Sequence, residues 1–207
     1  MAPNLFLLRD ADAAALTAYV RGGGVLVVGP FSGIVDERAH VRTGRFPAPL
    51  REVLGASGEE WRPVDDPVRC RWAGGAEFVA HTWTELVAAE GAETVAEFAE
   101  GGPAVLRHRA GQGVAWYVAT MPEPDALGEL TARALADAGV RGVLPDLPPG
   151  IEAVRRGDVL FLLNHGSEAA RVPLPGPATD LLTGSATGDQ VTLAPQAVAA
   201  LTSEIQL

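Results

Sequence analysis

The first thirty residues combine a helical pattern with a buried-strand pattern. Residues 13–21 have helical composition with an apolar stripe, and Asp10 or Asp12 is expected to cap this helix by accepting hydrogen bonds from its free amides. Glycines 22–24 end the helix, since glycine adopts the left-handed conformation without strain. Val25–Val28 is an unbroken apolar run, typical of a strand buried on both faces. This order of elements predicts a parallel sheet covered by helices.

The pattern up to residue 140 predicts more strands and a second long helix. Short apolar runs between turn residues indicate strands at residues 5–8, 60–64, 68–72, 77–80, 94–98, 104–108 and 114–119. Residues 50–54 are expected to form one or two helical turns. Residues 125–138 have a helical period, Gly139 ends the helix, and one face is apolar: Leu127, Leu130, Ala134 and Leu135.

The pattern changes after the proline-rich segment at residues 144–150, which indicates a stiff linker. Beyond it, short strands follow one another without helices, at residues 151–155, 159–163, 170–173, 178–182, 191–193 and 198–202. This spacing is typical of a small antiparallel β-sandwich. The sequence therefore predicts an α/β domain over residues 1–144 and a β-sandwich over residues 145–207.

Composition restricts the function classes. The 207 residues are 47% hydrophobic, which is enough for a packed core, and the abundance of arginine, alanine and glycine suggests a bacterial genome rich in GC. The net charge of −10 disfavours nucleic acid as a partner, because no basic face is available for phosphates. No apolar stretch has the length of a membrane span, and the N-terminus does not resemble a signal peptide. We therefore expect a cytoplasmic protein without a membrane partner.

The loop after Val25–Val28 is the first candidate for chemistry, because α/β proteins bind ligands at the carboxyl ends of their strands. Ser32 suggests a nucleophile elbow, but the order Gly-Pro-Phe-Ser-Gly puts serine in the fourth place and no clear helix follows. A turn serine is the favoured interpretation. Asp36 and Glu37 resemble a carboxylate pair, although solvated charge or an ion pair with a nearby arginine such as Arg42 is favoured.

Other catalytic residue types are isolated in the sequence. Cys70 is the single cysteine, which excludes an internal disulfide, and its place inside a predicted strand favours a structural thiol over a nucleophile. The four histidines are scattered without metal-ligand spacing, so no metal site and no cofactor are expected. The glycine triplet precedes its strand, whereas a dinucleotide-binding loop follows one. Four tryptophans suggest either core packing or sugar stacking: Trp61, Trp72, Trp83 and Trp116.

Several ordered segments resemble the middle and C-terminal domains of the family 42 glycoside hydrolases, the β-galactosidases. The resemblance is carried by residues 2–8, 22–37, 46–51, 54–55, 59–61, 103–105, 111–113, 117–120, 155–165 and 180–184, and it covers essentially the whole chain. It implies a flavodoxin- or amidotransferase-like trimerisation domain, shortened at its N-terminus, followed by the family's small C-terminal β-domain.

The resemblance also implies that catalysis and assembly belong to different domains. In that family a (β/α)₈ barrel carries the two catalytic glutamates, and a barrel takes about 250 residues. Neither glutamate can be assigned here, so we expect a non-catalytic assembly portion that self-associates as a trimer or binds a barrel-bearing partner, with a galactoside possible near the interface. The interface or active-site-border candidates are Phe31, Ser32, Asp36, Glu37 and Arg42. The alternatives are an independent hydrolase that uses Ser32 or Cys70, and a sugar-binding module that uses tryptophan.

Overall fold

A computed structural model describes residues 1–202, and the chain divides into two compact units, Met1–Val140 and Arg141–Leu207. The first unit is an α/β domain and the second is built from antiparallel strands, so the predicted fold class is confirmed. Within residues 1–202, every helix is too short or too polar to cross a bilayer.

The first unit has one large sheet with helices packed against it. Its helices are α1 (Asp10–Arg21), α2 (Arg51–Leu54), preceded by a 3-10 turn at Ala48–Leu50, and α3 (Pro124–Asp137). Its strands are β1 (Val25–Val28), β2 (Ala56–Pro63), β3 (Val68–Trp72), β4 (Glu77–Ala89), β5 (Glu93–Phe98), β6 (Pro103–Ala110), β7 (Gly113–Val118) and β8 (Thr120–Pro122). The strand order is β1-β7-β6-β5-β3-β4-β2, and β8 pairs with β4.

The sheet is mixed rather than parallel throughout. Only β1 and β7 pair in parallel among the named strands, with Val25 opposite Val114, and every other pair is antiparallel. The predicted strand over residues 5–8 does not form. Leu7 makes an isolated parallel bridge to Val35 instead, and Ala2, just before this segment, makes one to Val28. The sequence pattern identified the strands but not their directions, because direction depends on long-range pairing.

Side chains of β1 and β7 alternate between two hydrophobic cores, so both faces of the sheet are covered. Leu26, Val28 and Tyr117 belong to the core that includes residues of α1 and α2. Val27 and Trp116 belong to the core on the α3 side. This arrangement confirms the expectation that β1 is buried on both faces.

The start of α1 differs from the prediction. The helix begins at Asp10, its N-cap residue is Arg9, and no side chain caps it. Asp12 instead accepts hydrogen bonds from the Arg9 guanidinium at 2.7 and 2.8 Å. Both acidic residues still lie in the first turn, where their charge favours the helix dipole. The helix ends as expected, and Gly23, with φ of +110°, adopts the left-handed conformation.

The apolar face of α3 is narrower than predicted. Ala126, Leu130 and Ala134 are buried, whereas Leu127 and Leu135 are each 43% exposed. The two leucines therefore lie outside the strip of the helix that neighbouring elements cover completely. The prediction was wrong because helical spacing alone does not show how wide a stripe the neighbouring elements cover.

The second unit contains two antiparallel sheets. Its strands are β9 (Ile151–Arg156), β10 (Val159–Asn164), β11 (Ala170–Pro173), β12 (Ala178–Asp180), β13 (Ala186–Thr187), β14 (Gln190–Leu193) and β15 (Val198–Thr202). The five-stranded sheet has the order β13-β12-β15-β10-β9, and β11 pairs with β14. A separate hydrophobic core holds this unit together, built around Leu162, Val172 and Leu201.

Candidate functional site

The loop that follows β1 lies at the carboxyl end of the one parallel strand pair, and close packing restricts its backbone. Phe31 has φ of +57° and Gly33 has φ of +65°. A Cβ at Gly29 would overlap the Pro3 carbonyl oxygen, and one at Gly33 would press on Pro47. These contacts hold the loop against the N-terminal segment and against the residues before α2, so its conformation is strongly constrained.

Ser32 is a buried structural residue. Its Oγ donates to the Gly29 carbonyl oxygen at 2.8 Å and accepts from the Leu5 amide at 3.0 Å. The side chain is 0% exposed. The first hydrogen bond lies within the loop, as in a turn serine, and the second ties the loop to the N-terminal segment. Both partners are backbone groups, so neither is a general base for the hydroxyl.

Glu85 on β4 is the buried polar centre of this region and was not among the sequence candidates. Its Oε1 accepts from the Phe31 amide at 3.0 Å and from Trp61 Nε1 at 2.8 Å, and its Oε2 accepts from the Tyr117 hydroxyl. The residue is 2% exposed. Burial raises the pKa of Glu85 above its usual value, and the three donors oppose part of that increase. The carboxyl group thus connects the loop, β2 and β7.

An aromatic cluster surrounds this carboxyl group. Trp61 stacks on Phe46 at 4.3 Å and on Phe31 at 5.5 Å between ring centroids, and Phe31 meets Trp83 edge to face at 4.9 Å. Trp61 also donates its indole N–H to Glu85. Because stacking partners and a buried acceptor already engage Trp61, its role is packing rather than sugar stacking.

The other two tryptophans are also structural. Trp72 and Trp116 are 4% and 2% exposed and lie in the core on the α3 side. Trp116 donates its indole N–H to Asp137 at 3.0 Å. Of the four tryptophans, Trp83 alone lines a sizeable apolar cavity at the edge of the loop.

The two acidic candidates and Arg42 have different surroundings. Asp36 accepts from the amides of His40 and Arg38, each at 2.9 Å, and these hydrogen bonds hold the pKa of Asp36 below its usual value. Glu37 is exposed. Arg42 donates to the Leu8 carbonyl oxygen at 2.6 Å, and the same Nη2 lies 2.8 Å from Asp10 Oδ1. Asp36 and Glu37 therefore do not form a facing carboxylate pair.

The remaining catalytic candidates occupy structural positions. Cys70 is buried in β3, and burial raises the pKa of its thiol to about 11, which opposes formation of a thiolate. His108 contacts the Val53 carbonyl oxygen at 3.0 Å, and His165 contacts Glu152 at 2.8 Å. Within residues 1–202, no three His, Cys, Asp or Glu side chains are grouped as metal ligands.

Both parts of the chain match domains of one known protein family. Residues 1–141 match the β-galactosidase trimerisation domain, and residues 150–202 match the β-galactosidase C-terminal domain. The chain belongs to glycoside hydrolase family 42. It corresponds to the trimerisation and C-terminal portions of these β-galactosidases, as the resemblance in the sequence implied.

Curated family 42 relatives show how large a share of such an enzyme this chain represents. A β-galactosidase from an Arthrobacter species is 38% identical over 190 residues, which are 87% of this chain and 27% of the relative. The β-galactosidase LacZ of Heyndrickxia coagulans is 34% identical over 206 residues, or 95% of this chain and 31% of the relative. The chain thus spans less than a third of the length of these relatives.

Solved family 42 structures show the same fold. A β-galactosidase from Bacillus circulans sp. alkalophilus superposes with a TM-score of 0.86 and 29% identity, over 97% of this chain and 32% of that one. The cold-adapted enzyme of Rahnella sp. R3 gives a TM-score of 0.88 and 27% identity, over 99% and 32%. The fold of both units is therefore the fold that family 42 enzymes use in this part of their chain.

The structure groups the five family 42 candidate residues only in part. Phe31 and Ser32 take part in the buried contacts with Glu85 and Leu5. Arg42 is largely buried and contacts the Leu8 carbonyl oxygen and Asp10, whereas Asp36 is half-buried and Glu37 is exposed. One sequence signal for Glu85 existed, because it lies two residues before Val87 and so shares its side of a strand. The signal was hard to read because a bulge between His81 and Thr84 shifts the alternation of buried residues that begins at Phe78.

Proposed function

We propose that this chain has an assembly function within a family 42 β-galactosidase. In this proposal the unit Met1–Val140 associates with further copies of itself, and galactoside hydrolysis belongs to a barrel domain or barrel-bearing partner. The match of residues 1–141 to the trimerisation domain is the observation that carries the proposal. The five loop candidates then border a subunit contact, and the internal hydrogen bonds of the loop keep that border in one conformation.

The contacts of the two candidate nucleophiles support assembly over catalysis. Ser32 Oγ is engaged by two backbone groups and is buried. Cys70 is held as a thiol by burial. An acyl-transfer enzyme requires an activated nucleophile next to a base, and neither residue is placed for that role.

Light scattering after size-exclusion chromatography tests the association. We expect the molar mass to rise from one copy toward three copies as the protein concentration increases. A mass of one copy up to the solubility limit contradicts the proposal. Dilution back to one copy serves as the control, since it separates reversible association from aggregation.

Hydrolysis assays test whether this chain has catalytic activity of its own. The chain alone is expected not to hydrolyse a chromogenic β-galactoside, and it is expected not to cleave p-nitrophenyl acetate beyond the background of denatured protein. Ester cleavage that Ser32→Ala or Cys70→Ala abolishes would establish the independent hydrolase instead. Ser167→Ala provides a matched control, since Ser167 is exposed in a turn of the second unit.

A further inference from the structure

An apolar cavity of about 370 Å³ lies at the carboxyl ends of β1 and β7. The end of β1 contributes Val27 to its lining, and the end of β7 contributes Val118. Leu127 and Leu130 line it from α3, and Trp83 lines it together with residues 120–122 of β8. Side chains from both parallel strands and from the helix that covers them therefore meet at this cavity.

The N-terminal segment and the loop after β1 supply the rest of the lining. The loop contributes residues 29–31, and the N-terminal members are Met1, Pro3 and Asn4. The Ala2 amide donates to the Val27 carbonyl oxygen at 2.7 Å, and the Gly29 amide donates to the Ala2 carbonyl oxygen at 3.1 Å. These two hydrogen bonds hold the N-terminal segment beside β1, so this side of the cavity is fixed to the sheet.

The chain leaves β1 and β7 toward opposite faces of the sheet at this point. The loop after β1 leads to α2, which packs in the core that contains Leu26 and Val28. The segment after β7 leads to α3, which packs in the core that contains Val27. Neighbouring residues of a strand point to opposite faces, so the two helices cover different sides. Open α/β sheets bind ligands in the crevice between two such diverging connections.

The chemistry of the lining favours an uncharged, aromatic ligand. Among the described residues that line the cavity, none carries a charged side chain, so a charged ligand would lose hydration without gaining a partner. The Thr120 hydroxyl already donates to the Trp83 carbonyl oxygen at 2.6 Å, and the Phe31 amide donates to Glu85. The rings of Phe31 and Trp83 offer aromatic surface, since they meet edge to face at the cavity.

Asn4 supplies a polar group to this apolar lining. Its Oδ1 accepts from the Phe6 amide at 3.3 Å, whereas its Nδ2 makes no hydrogen bond within residues 1–202. The residue is exposed and lines the cavity. The two N–H donors of the amide are therefore available to a carbonyl or ether oxygen of a ligand.

We infer that this cavity binds a small uncharged aromatic molecule that carries a hydrogen-bond acceptor next to its ring. The ring lies against the apolar lining, and the acceptor pairs with the Asn4 amide. The volume of about 370 Å³ lies within the range of roughly 300–1,000 Å³ typical of small-molecule sites. Every lining residue comes from one copy of the chain, so the site is complete with or without self-association.

Two dyes with the same ring skeleton test the apolar and uncharged character of the site. N-phenyl-1-naphthylamine fluoresces strongly in apolar surroundings, and we expect it to bind saturably with one dye per chain. The dye 1-anilinonaphthalene-8-sulfonate adds a sulfonate, which meets no cationic side chain among the described lining residues. Its dissociation constant should therefore be at least tenfold higher. Failure of the neutral dye to saturate, or equal affinity for both dyes, overturns the inference.

Two substitutions on α3 test whether the neutral dye occupies this cavity. Leu127→Glu places a carboxylate in the lining and should raise the dissociation constant of the neutral dye at least tenfold. Leu135→Glu is the matched control, because Leu135 has the same 43% exposure, lies about 12 Å further along the helix and does not line the cavity. Its dissociation constant should change less than threefold. Both positions are exposed, so the unfolding midpoints should match wild type. Equal dye affinities of the two variants place the dye elsewhere and overturn the inference.

A pair of competitors tests the role of Asn4. The ketone 2-acetylnaphthalene and the hydrocarbon 2-ethylnaphthalene have the same shape, and only the ketone has an acceptor next to the ring. Each should displace the neutral dye from the wild-type chain. Asn4→Ala should raise the dissociation constant of the ketone about three- to tenfold, as expected for one lost hydrogen bond, and that of the hydrocarbon less than twofold. Equal changes for both compounds overturn the pairing of Asn4 with the acceptor.

Other occupants of the cavity give different results. Galactose and lactose in large excess should leave the dye bound, and displacement by either sugar overturns the aromatic class of ligand. The affinity for the neutral dye should not change with protein concentration. A decrease that coincides with association in light scattering shows that another copy covers the cavity and overturns the inference. Saturable binding to a chain that stays a single copy supports the inference and refutes only the proposed assembly function.

Discussion

Tyr117 donates its hydroxyl hydrogen to Oε2 of Glu85, and both side chains are buried, at 0% and 2% exposure. The pair joins β7 to β4, two strands that are not neighbours in the sheet. Because Glu85 also accepts from the Phe31 amide and Trp61, the tyrosine and the candidate loop share one acceptor. Changes at Tyr117 or Glu85 should therefore affect the loop and the sheet together.

Tyr117→Phe removes one donor and leaves the rest of the ring in place. We expect it to destabilise the first unit by about 1–3 kcal/mol, because Glu85 stays buried with one hydrogen bond fewer. Urea unfolding measures the change. Tyr19→Phe is the control, since Tyr19 is 56% exposed and its hydroxyl lies 3.5 Å from its nearest acceptor. An equal change in the free energy of unfolding for both substitutions would show that the hydrogen bond from Tyr117 to Glu85 does not stabilise the fold.

The raised pKa of Glu85 predicts that the stability of the fold depends on pH. Its folded pKa is raised by burial above the usual value of 4.5, so the folded chain binds this proton more tightly than the unfolded chain does. The stabilisation is complete below pH 4.5 and is lost as the pH rises through the folded pKa. Glu85→Gln removes this dependence, so the variant should gain stability relative to wild type as the pH rises. Unfolding midpoints measured across pH 4–8 provide the test.

Glu90 supplies a control of opposite sign for that experiment. Hydrogen bonds from Arg51 and Ser57 lower the pKa of Glu90, so its contribution to stability exists above pH 4.5 and is lost as the pH falls through the folded pKa. Glu90→Gln should therefore lose stability relative to wild type at neutral pH, and the difference should shrink in acid. If the stability of both variants relative to wild type changes with pH in the same direction, burial of Glu85 is not the cause of its pH dependence.

The hydrogen bonds of the Asn164 side chain predict that its removal destabilises the second unit. Its Nδ2 donates to the carbonyl oxygens of Glu168, Leu193 and Ala194, its Oδ1 accepts from the Gly166 amide, and it is 3% exposed. We expect Asn164→Ala to destabilise this unit by about 1–3 kcal/mol, because buried backbone groups lose their partner. Hydrogen exchange should increase in β10 and β14.

The control for Asn164→Ala is Asn4→Ala, at the other asparagine of the chain. Asn4 is exposed, and its Oδ1 accepts only from the Phe6 amide, at 3.3 Å. We expect a change in stability of less than about 0.5 kcal/mol. Exchange rates in β10 that stay at wild-type values in Asn164→Ala would refute the structural role of that amide.

The proposed boundary near residues 144–145 predicts the site of first proteolysis. Within residues 1–202, the segment 141–147 makes no backbone–backbone hydrogen bonds, and Arg141 is exposed. Brief trypsin treatment should therefore cut first after Arg141 and leave two resistant fragments. Mass spectrometry identifies the cut, and Arg141→Gln should delay it. A first cut before residue 140 or after residue 150 would argue against this division.

Much of the fold follows from local pattern. The ends of β3, β11 and β15 agree with the predicted strands, since their apolar residues and flanking turns are local signals. The strand beginning at Glu77 was predicted to end at Ala80 but continues to Ala89. The positive φ of Thr82 and the nearby bulge break the alternation there, and long-range pairing with β2 and β8 stabilises the remainder.

The candidate site was predictable only where a side chain bonds to its own loop. The turn position of Ser32 followed from the residues next to it, because its hydroxyl bonds to the backbone of its own loop. For Asp36 we expected solvated charge or an ion pair, and the structure shows a half-buried carboxylate that accepts from two nearby amides. Glu85 contacts Phe31, Trp61 and Tyr117 across 54, 24 and 32 residues of sequence. The spacing of Glu85 from Val87 indicates a shared side of the strand, but it does not show that this side is buried around a carboxyl group, since an isolated glutamate in a strand is ordinarily exposed.

The sequence by itself determined most of the elements, the change of pattern near residue 144 and the buried character of β1, because each depends on short-range periodicity. The family was implied separately, by the resemblance of several ordered segments. Tertiary structure alone decided the mixed direction of the sheet, the burial of Glu85, the exposure of Leu127 and the presence of an apolar cavity beside the loop. These features depend on which surfaces meet. Burial and pairing are set by contacts between distant segments, and the free energy of such contacts appears only when the whole chain is packed.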